Sequence, residues 1–184
     1  MIAQRHLTRR MRRFGATVIL AAIPLSIVQA TAQTPQLSRT PFGDWVLRCQ
    51  AAAGGAKICE VAQTIAVKPQ KDQKQPQFIA EIVFGKLNKT QPMFMVTQVP
   101  LGAWLPAGAT VTADKLPAIR ATFTRCAQTC MAEIALTPAN LTALKGESGP
   151  GRLLIEDGAQ HSVTLPLSFK GLSQALAARD KAVS

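Results

Sequence analysis

Phe78-Ile79-Ala80-Glu81-Ile82-Val83-Phe84 sets Phe78, Ala80, Ile82 and Phe84 on one side of an extended chain and Ile79, Glu81 and Val83 on the other. Successive side chains of a strand point to opposite faces, so the stretch predicts a strand with one face firmly in a core. Downstream, Val163, Leu165, Leu167 and Phe169 alternate with Ser162, Thr164, Pro166 and Ser168 in a half-buried pattern. Pro166 has no N–H for a ladder, which places that strand at a sheet edge or a bulge. The same reading gives strands over residues 44–50, 58–67, 93–99, 118–126, 131–136 and 151–156. Turn signals at residues 85–88 and at Asp157-Gly158 join neighbours as antiparallel hairpins. Hairpins facing each other would bury their apolar sides, so the expected fold is mostly β, an antiparallel sandwich with one or two short helices.

Thr137 is placed to cap the first helix, which begins at Pro138, carries Leu141 and Leu144 on one side and stops at Gly146. A second is suggested by Leu172 and Leu176 with Ala175, Ala177 and Ala178, but its small apolar area predicts a marginal helix, frayed after Arg179. On this reading residues 33–41 are a linker, 42–172 one domain, and 173–184 a tail. Lys68 to Gln77 reads as a long polar hairpin loop.

The first residues have the order of a secretory leader. Arg5, Arg9, Arg10, Arg12 and Arg13 precede an apolar run from Phe14 to Val28, and small residues flank Gln29 and Thr31. Cleavage is expected after Ala32, with Ala30 the other site, so residues 1–32 are a cleaved signal peptide. The run is shorter than the roughly 20 residues a spanning helix needs, and no second such run follows. The expected destination is the periplasm or the outer surface.

Removing the leader changes the charge argument. The whole chain carries 21 basic and 10 acidic residues; without the five leader arginines 16 face 10, a net charge of +6 in place of +11. Lys68, Lys71 and Lys74 gather in a Gln- and Pro-rich stretch. Such a run is ordinarily a solvated loop, and the functional reading is a surface for anionic glycolipid or phospholipid. No aromatic interleaving or nucleic-acid fold signature accompanies it, which disfavours nucleic acid as a partner.

All four cysteines, Cys49, Cys59, Cys126 and Cys130, lie beyond the leader. Of the three pairings four cysteines allow, the local one, Cys49 with Cys59 and Cys126 with Cys130, needs only that each pair flank a turn between neighbouring strands. Zinc ligation would want C-x2-C knuckles, and a redox pair the C-x-x-C spacing; neither is present, and an exported chain meets oxidising conditions.

Catalytic patterns are sparse. One histidine, His161, remains after the leader, on an expected exposed hairpin, and there is no tyrosine. No G-x-S-x-G, H-E-x-x-H or phosphate-binding glycine loop occurs, and no cofactor is implied. Trp45 at a strand start reads as a core residue. Trp104 and Leu105, between Gly102 and Pro106 in a loop, either plug one end of the sandwich or form an exposed interaction patch, and the plug is the favoured reading.

Taken together, these motifs resemble the invasion-associated locus B family of proteobacterial envelope proteins. The resemblance rests on Gly43-Asp44-Trp45 with Cys49 and Cys59, on Pro100-Leu101-Gly102-Ala103-Trp104-Leu105-Pro106-Ala107-Gly108, on Arg125-Cys126 with Cys130, and on Leu165-Pro166-Leu167-Ser168-Phe169-Lys170-Gly171-Leu172. It covers residues 40–172, and the chain departs from the pattern at Thr129, where glycine is common. What the resemblance implies is an immunoglobulin-like β-sandwich without established catalytic residues, linked in some members to host-cell entry. The leading expectation is a non-catalytic envelope binding module with an envelope or host partner. The alternatives are an envelope thiol oxidoreductase or other small enzyme, and a structural component that binds anionic lipid.

Overall fold

The computed structural model describes residues 37–52, 55–67, 76–86, 88 and 90–183. The expected leader and the lysines of the polar loop, Lys68, Lys71 and Lys74, lie outside them. Among the described residues ten strands are formed: β1 (Ser38–Phe42), β2 (Trp45–Ala51), β3 (Lys57–Val67), β4 (Gln77–Gly85), β5 (Phe94–Val99), β6 (Ala109–Ala113), β7 (Ile119–Cys126), β8 (Cys130–Ala135), β9 (Pro150–Glu156) and β10 (Ser162–Ser168). Helix α1 (Pro138–Gly146) lies between β8 and β9, and α2 (Leu172–Ala182) ends the described chain.

All strands join one antiparallel ladder in the order β1-β2-β3-β4-β5-β8-β7-β6-β9-β10. The mostly β class and the two short helices match expectation; the strands form a curled antiparallel half-barrel rather than a clear immunoglobulin-like pair of face-packed sheets. The reason lies in β7, which pairs with β8 on one side and with β6 on the other and so carries the hydrogen bonding through. Instead of stacking two sheets, the ladder curls on itself. Its inner face holds one core, including Trp45, Val61, Ile82, Phe84, Met95, Val111, Leu153, Leu167 and Phe169. Of the expected core face of β4, Ala80, Ile82 and Phe84 are buried and Phe78 is exposed beyond a register shift in β3, while Val83 of the other face is buried as well.

Both edges of the ladder carry a proline. Pro41 stands in β1 opposite Val46, and Pro166 in β10 opposite Arg152. Each removes an N–H from its edge strand, which blunts the edge against a further strand. The assignment of the last strand to an edge is thus correct, whereas the linker over residues 33–41 is corrected in its second half, which is β1. β6 was also not expected; it follows directly on the Pro- and Gly-rich loop.

The helices behave differently from each other. α1 forms as its sequence directs: the Thr137 hydroxyl accepts from the Asn140 N–H at 3.1 Å, and Leu144 is buried. α2 is not marginal. It buries Leu172, Ala175, Leu176 and Arg179, the i, i+3, i+4, i+7 face, against β2, β3 and β1. Arg179 donates from Nε to the Cys59 carbonyl at 3.2 Å and pairs with Asp180 at 3.0 Å. Alanine supplies little area but lets the helix approach closely, and a buried guanidinium bonded to the Cys59 carbonyl and to Asp180 holds it in place.

Candidate functional site

The two ends of the ladder meet at a seam built from residues far apart in sequence. The Trp45 indole N–H donates to the Ser168 carbonyl at 2.8 Å, and the buried Gln63 amide donates to that same carbonyl at 2.9 Å and to the Asp44 carbonyl at 3.2 Å. Gln63 in turn accepts from the Ser168 N–H at 3.0 Å, and the Ser168 hydroxyl donates to the Asp44 carboxylate at 2.6 Å. The backbone approach is tight. Gly171 has φ +90°, and a Cβ there would lie 2.0 Å from the Phe42 carbonyl oxygen. Glycine satisfies both demands at once. Trp45 itself is fully buried, its ring 5.4 Å from that of Phe84.

Both disulfides follow the local pairing. Cys49 stands directly across β2 and β3 from Cys59, and Cys126 across β7 and β8 from Cys130. Cys49, Cys59 and Cys130 are buried and Cys126 is exposed, so the first bridge belongs to the core and the second closes a hairpin tip. By loop-closure arguments they contribute about 3 and about 2 kcal/mol respectively.

A second surface lies on the connection between β5 and β6. Leu101, Trp104 and Leu105 are 60%, 38% and 43% exposed, although all three are large and apolar. This corrects the expectation that Trp104 and Leu105 plug the fold; they form the exposed patch. Immediately after the loop the chain turns inward, with Ala109 and Val111 of β6 fully buried. The loop is nevertheless held firmly. Trp104 donates its N–H to the Glu156 carbonyl at 2.8 Å, Ala103 bridges to Asp157, and residues 105–107 form a single 3-10 turn closed by Gly108 N–H to Leu105 carbonyl at 3.1 Å. From β7, the Arg120 guanidinium donates to the Pro106 carbonyl at 2.7 Å.

The turn against which the loop rests is itself braced. Asp157 Oδ1 accepts from the N–H groups of Ala159 and His161, both at 2.9 Å, and Oδ2 lies 3.3 Å from His161 Nδ1. Chiefly through the His161 backbone N–H, the Asp157 carboxyl is held below the ordinary aspartate pKa. His161 is exposed on the hairpin, as expected, and the aspartate beside it is engaged in holding the turn.

Elsewhere the outer face carries charge that is internally matched. Arg48 reaches both Glu81 oxygens, at 2.9 and 3.2 Å, and Glu60 at 2.8 Å. Burial disfavours its charged form, but the Glu81 hydrogen bond and the two carboxylate charges outweigh that and raise its pKa above the ordinary arginine value. The charges of this cluster are matched by its two carboxylates, although the buried Arg48 Nε has no hydrogen-bond partner. No group of three or more His, Cys, Asp or Glu able to hold a metal occurs among the described residues.

The model of the family described as Invasion associated locus B (IalB) protein matches residues 45–180. The chain belongs to the invasion associated locus B family. The crystal structure of invasion associated protein b from Bartonella henselae is similar in fold, with a TM-score of 0.62 at 17% identity, covering 79% of this chain and 96% of that one. No curated protein sequence is significantly similar to the chain. For this locus B family chain, the seam and the patch sort the motifs into two kinds. Gly43-Asp44-Trp45 and Ser168 to Gly171 are one structural device, while the loop from Pro100 to Gly108 presents side chains outward. Sequence reasoning singled out Trp104 and Leu105 but missed Leu101, Arg120 and the bracing role of Asp157. Leu101 stands in the same apolar run and could have been found; Arg120 depends on a strand pairing the sequence does not announce. Among the described residues no helix is long and apolar enough to cross a membrane.

Proposed function

We propose that this locus B family protein is an exported, non-catalytic interaction module of the cell envelope, and that it engages an envelope or host-surface partner through the loop from Pro100 to Gly108. The carrying observation is that Trp104 and Leu105 stay 38% and 43% exposed on a backbone hydrogen-bonded to β7 and β9. A pinned loop has already lost the conformational freedom that binding would otherwise remove, so its exposed apolar area is available to a partner at low cost. Export is supported by the leader-like residues 1–32 and by two cross-strand disulfides, which persist in oxidising compartments.

The test is a photo-crosslinking residue placed at Trp104 in the native host, followed by fractionation and intact-mass analysis. The expected outcome is a mature chain starting after Ala32 or Ala30, with both disulfides intact and a crosslinked adduct that vanishes when the crosslinker is moved to exposed Thr64 on the opposite half of the ladder. An adduct of equal yield at both positions, or a chain retaining its leader, would overturn the reading.

A further inference from the structure

The patch can be assigned a partner from what surrounds it. β7, β6 and β9 lie side by side, with Thr110 opposite both Arg120 and Leu154, and Thr112 opposite Arg152. Directly paired residues share a face, so Arg120 and Arg152 emerge on the same outer surface, and both are exposed. Arg120 sits at the level of the loop, whose Pro106 carbonyl it binds. Arg152 lies two residues further along the ladder, roughly 7 Å by strand rise. Neither makes an ion pair among the described residues, whereas Arg48, Arg125 and Arg179 all do. Two acids adjoin the loop through the backbone: Asp157, which is engaged with its own turn, and Glu156, which by alternation shares the outer face of Arg152 and is the one carboxylate of β9 there.

The resulting order is apolar tip, then one cation, then a second. That sequence matches the depth profile of a bilayer surface: Trp and Leu suit the boundary between headgroup and acyl chain, and arginines just above them meet lipid phosphates. A protein groove would not require unpaired cations graded by height. We infer that Leu101, Trp104 and Leu105 dip into an anionic bilayer, with Arg120 and Arg152 on its phosphates. This assignment deepens the interaction-module reading and rests on it.

The experiment is co-sedimentation of the oxidised protein, in the form its host accumulates, with two kinds of vesicle. One is phosphatidylcholine alone; the other contains roughly one-quarter phosphatidylglycerol, with salt varied in both. Binding is expected on the anionic vesicles, weakening as salt rises, with Trp104 emission moving to the blue. Arg152→Gln should weaken partitioning about fivefold, and Arg120→Lys, which keeps the charge, should weaken it less than Arg120→Gln. Trp104→Ala combined with Leu105→Ser should abolish it while leaving the urea midpoint close to that of the parent.

Absence of binding to either vesicle, or binding indifferent to these substitutions, would overturn the bilayer assignment. Inorganic phosphate that displaces the protein at millimolar concentration would also overturn it, since it would reduce the arginines to a simple anion site. Retained crosslinking at position 104 without vesicle binding would sink the lipid assignment alone and leave the interaction module standing.

Discussion

Two tryptophans divide the molecule. Trp45 follows Gly43 and is completely buried, its indole N–H donating to a backbone carbonyl; Trp104 follows Gly102 and remains 38% exposed. Both start from similar local sequence, a glycine with positive φ two residues before the ring. The difference comes from what each glycine touches. A Cβ on Gly43 would lie 2.5 Å from the Lys170 carbonyl oxygen, whereas one on Gly102 would meet nothing within 4 Å. Local sequence therefore fixes that a turn occurs, and long-range packing fixes whether the aromatic after it becomes core or surface.

The sharpest way to break that comparison is to truncate each ring. Trp45→Ala should cost about 3–5 kcal/mol, chiefly through lost burial and the cavity left beside Phe84, with the Ser168 carbonyl keeping only its Gln63 donor, and should leave little folded protein at 37 °C. Trp104→Ala should stay within about 1 kcal/mol of the parent in urea unfolding. Comparable losses at both positions would mean that the exposed ring also supports the core.

The glycines give a smaller contrast of the same kind. Gly171→Ala combines a disallowed backbone with a collision against the Phe42 carbonyl and should destabilise by at least about 2 kcal/mol. Gly102→Ala, at φ +103° but in open space, should cost about half as much, measured by the same unfolding curves.

The smallest effect concerns the turn that braces the exposed loop. The folded Asp157 carboxyl has a lowered pKa, so its charge contributes stability above the unfolded aspartate value of about 3.9 and loses that contribution as pH falls through the folded value. Asp157→Asn should therefore sit slightly below the parent at neutral pH, and the gap should close in acid. A gap that persists at low pH would show that the carboxylate charge is not what holds the turn.

Much of this arrangement was legible from residue order, and the exceptions have physical causes. The long alternations of β4 and β10 and the Thr137-Pro138 helix start were readable because each is a local pattern. β1 was missed because Ser38, Arg39, Thr40 and Pro41 are all exposed and leave no alternation to detect. β6 was missed because Val111 is its one large apolar residue. The register that joins β5 to β8 and β6 to β9 connects strands that are not consecutive, and nothing in short-range pattern encodes it. α2 was undervalued because alanines were counted by area, whereas its buried Arg179 and close approach do the holding. At the candidate site, Trp104 and Leu105 were found by their apolar character within a loop. Their exposure, and the arginines beside them, emerged only once the strands were paired.

Proline in each border strand has a consequence for how copies of this molecule can meet. With one amide missing on either flank, main-chain hydrogen bonding offers poor purchase for stacking subunits into a continuous ribbon. A chain displaying greasy residues on a rigid prominence can thus be concentrated on a surface without seeding fibres.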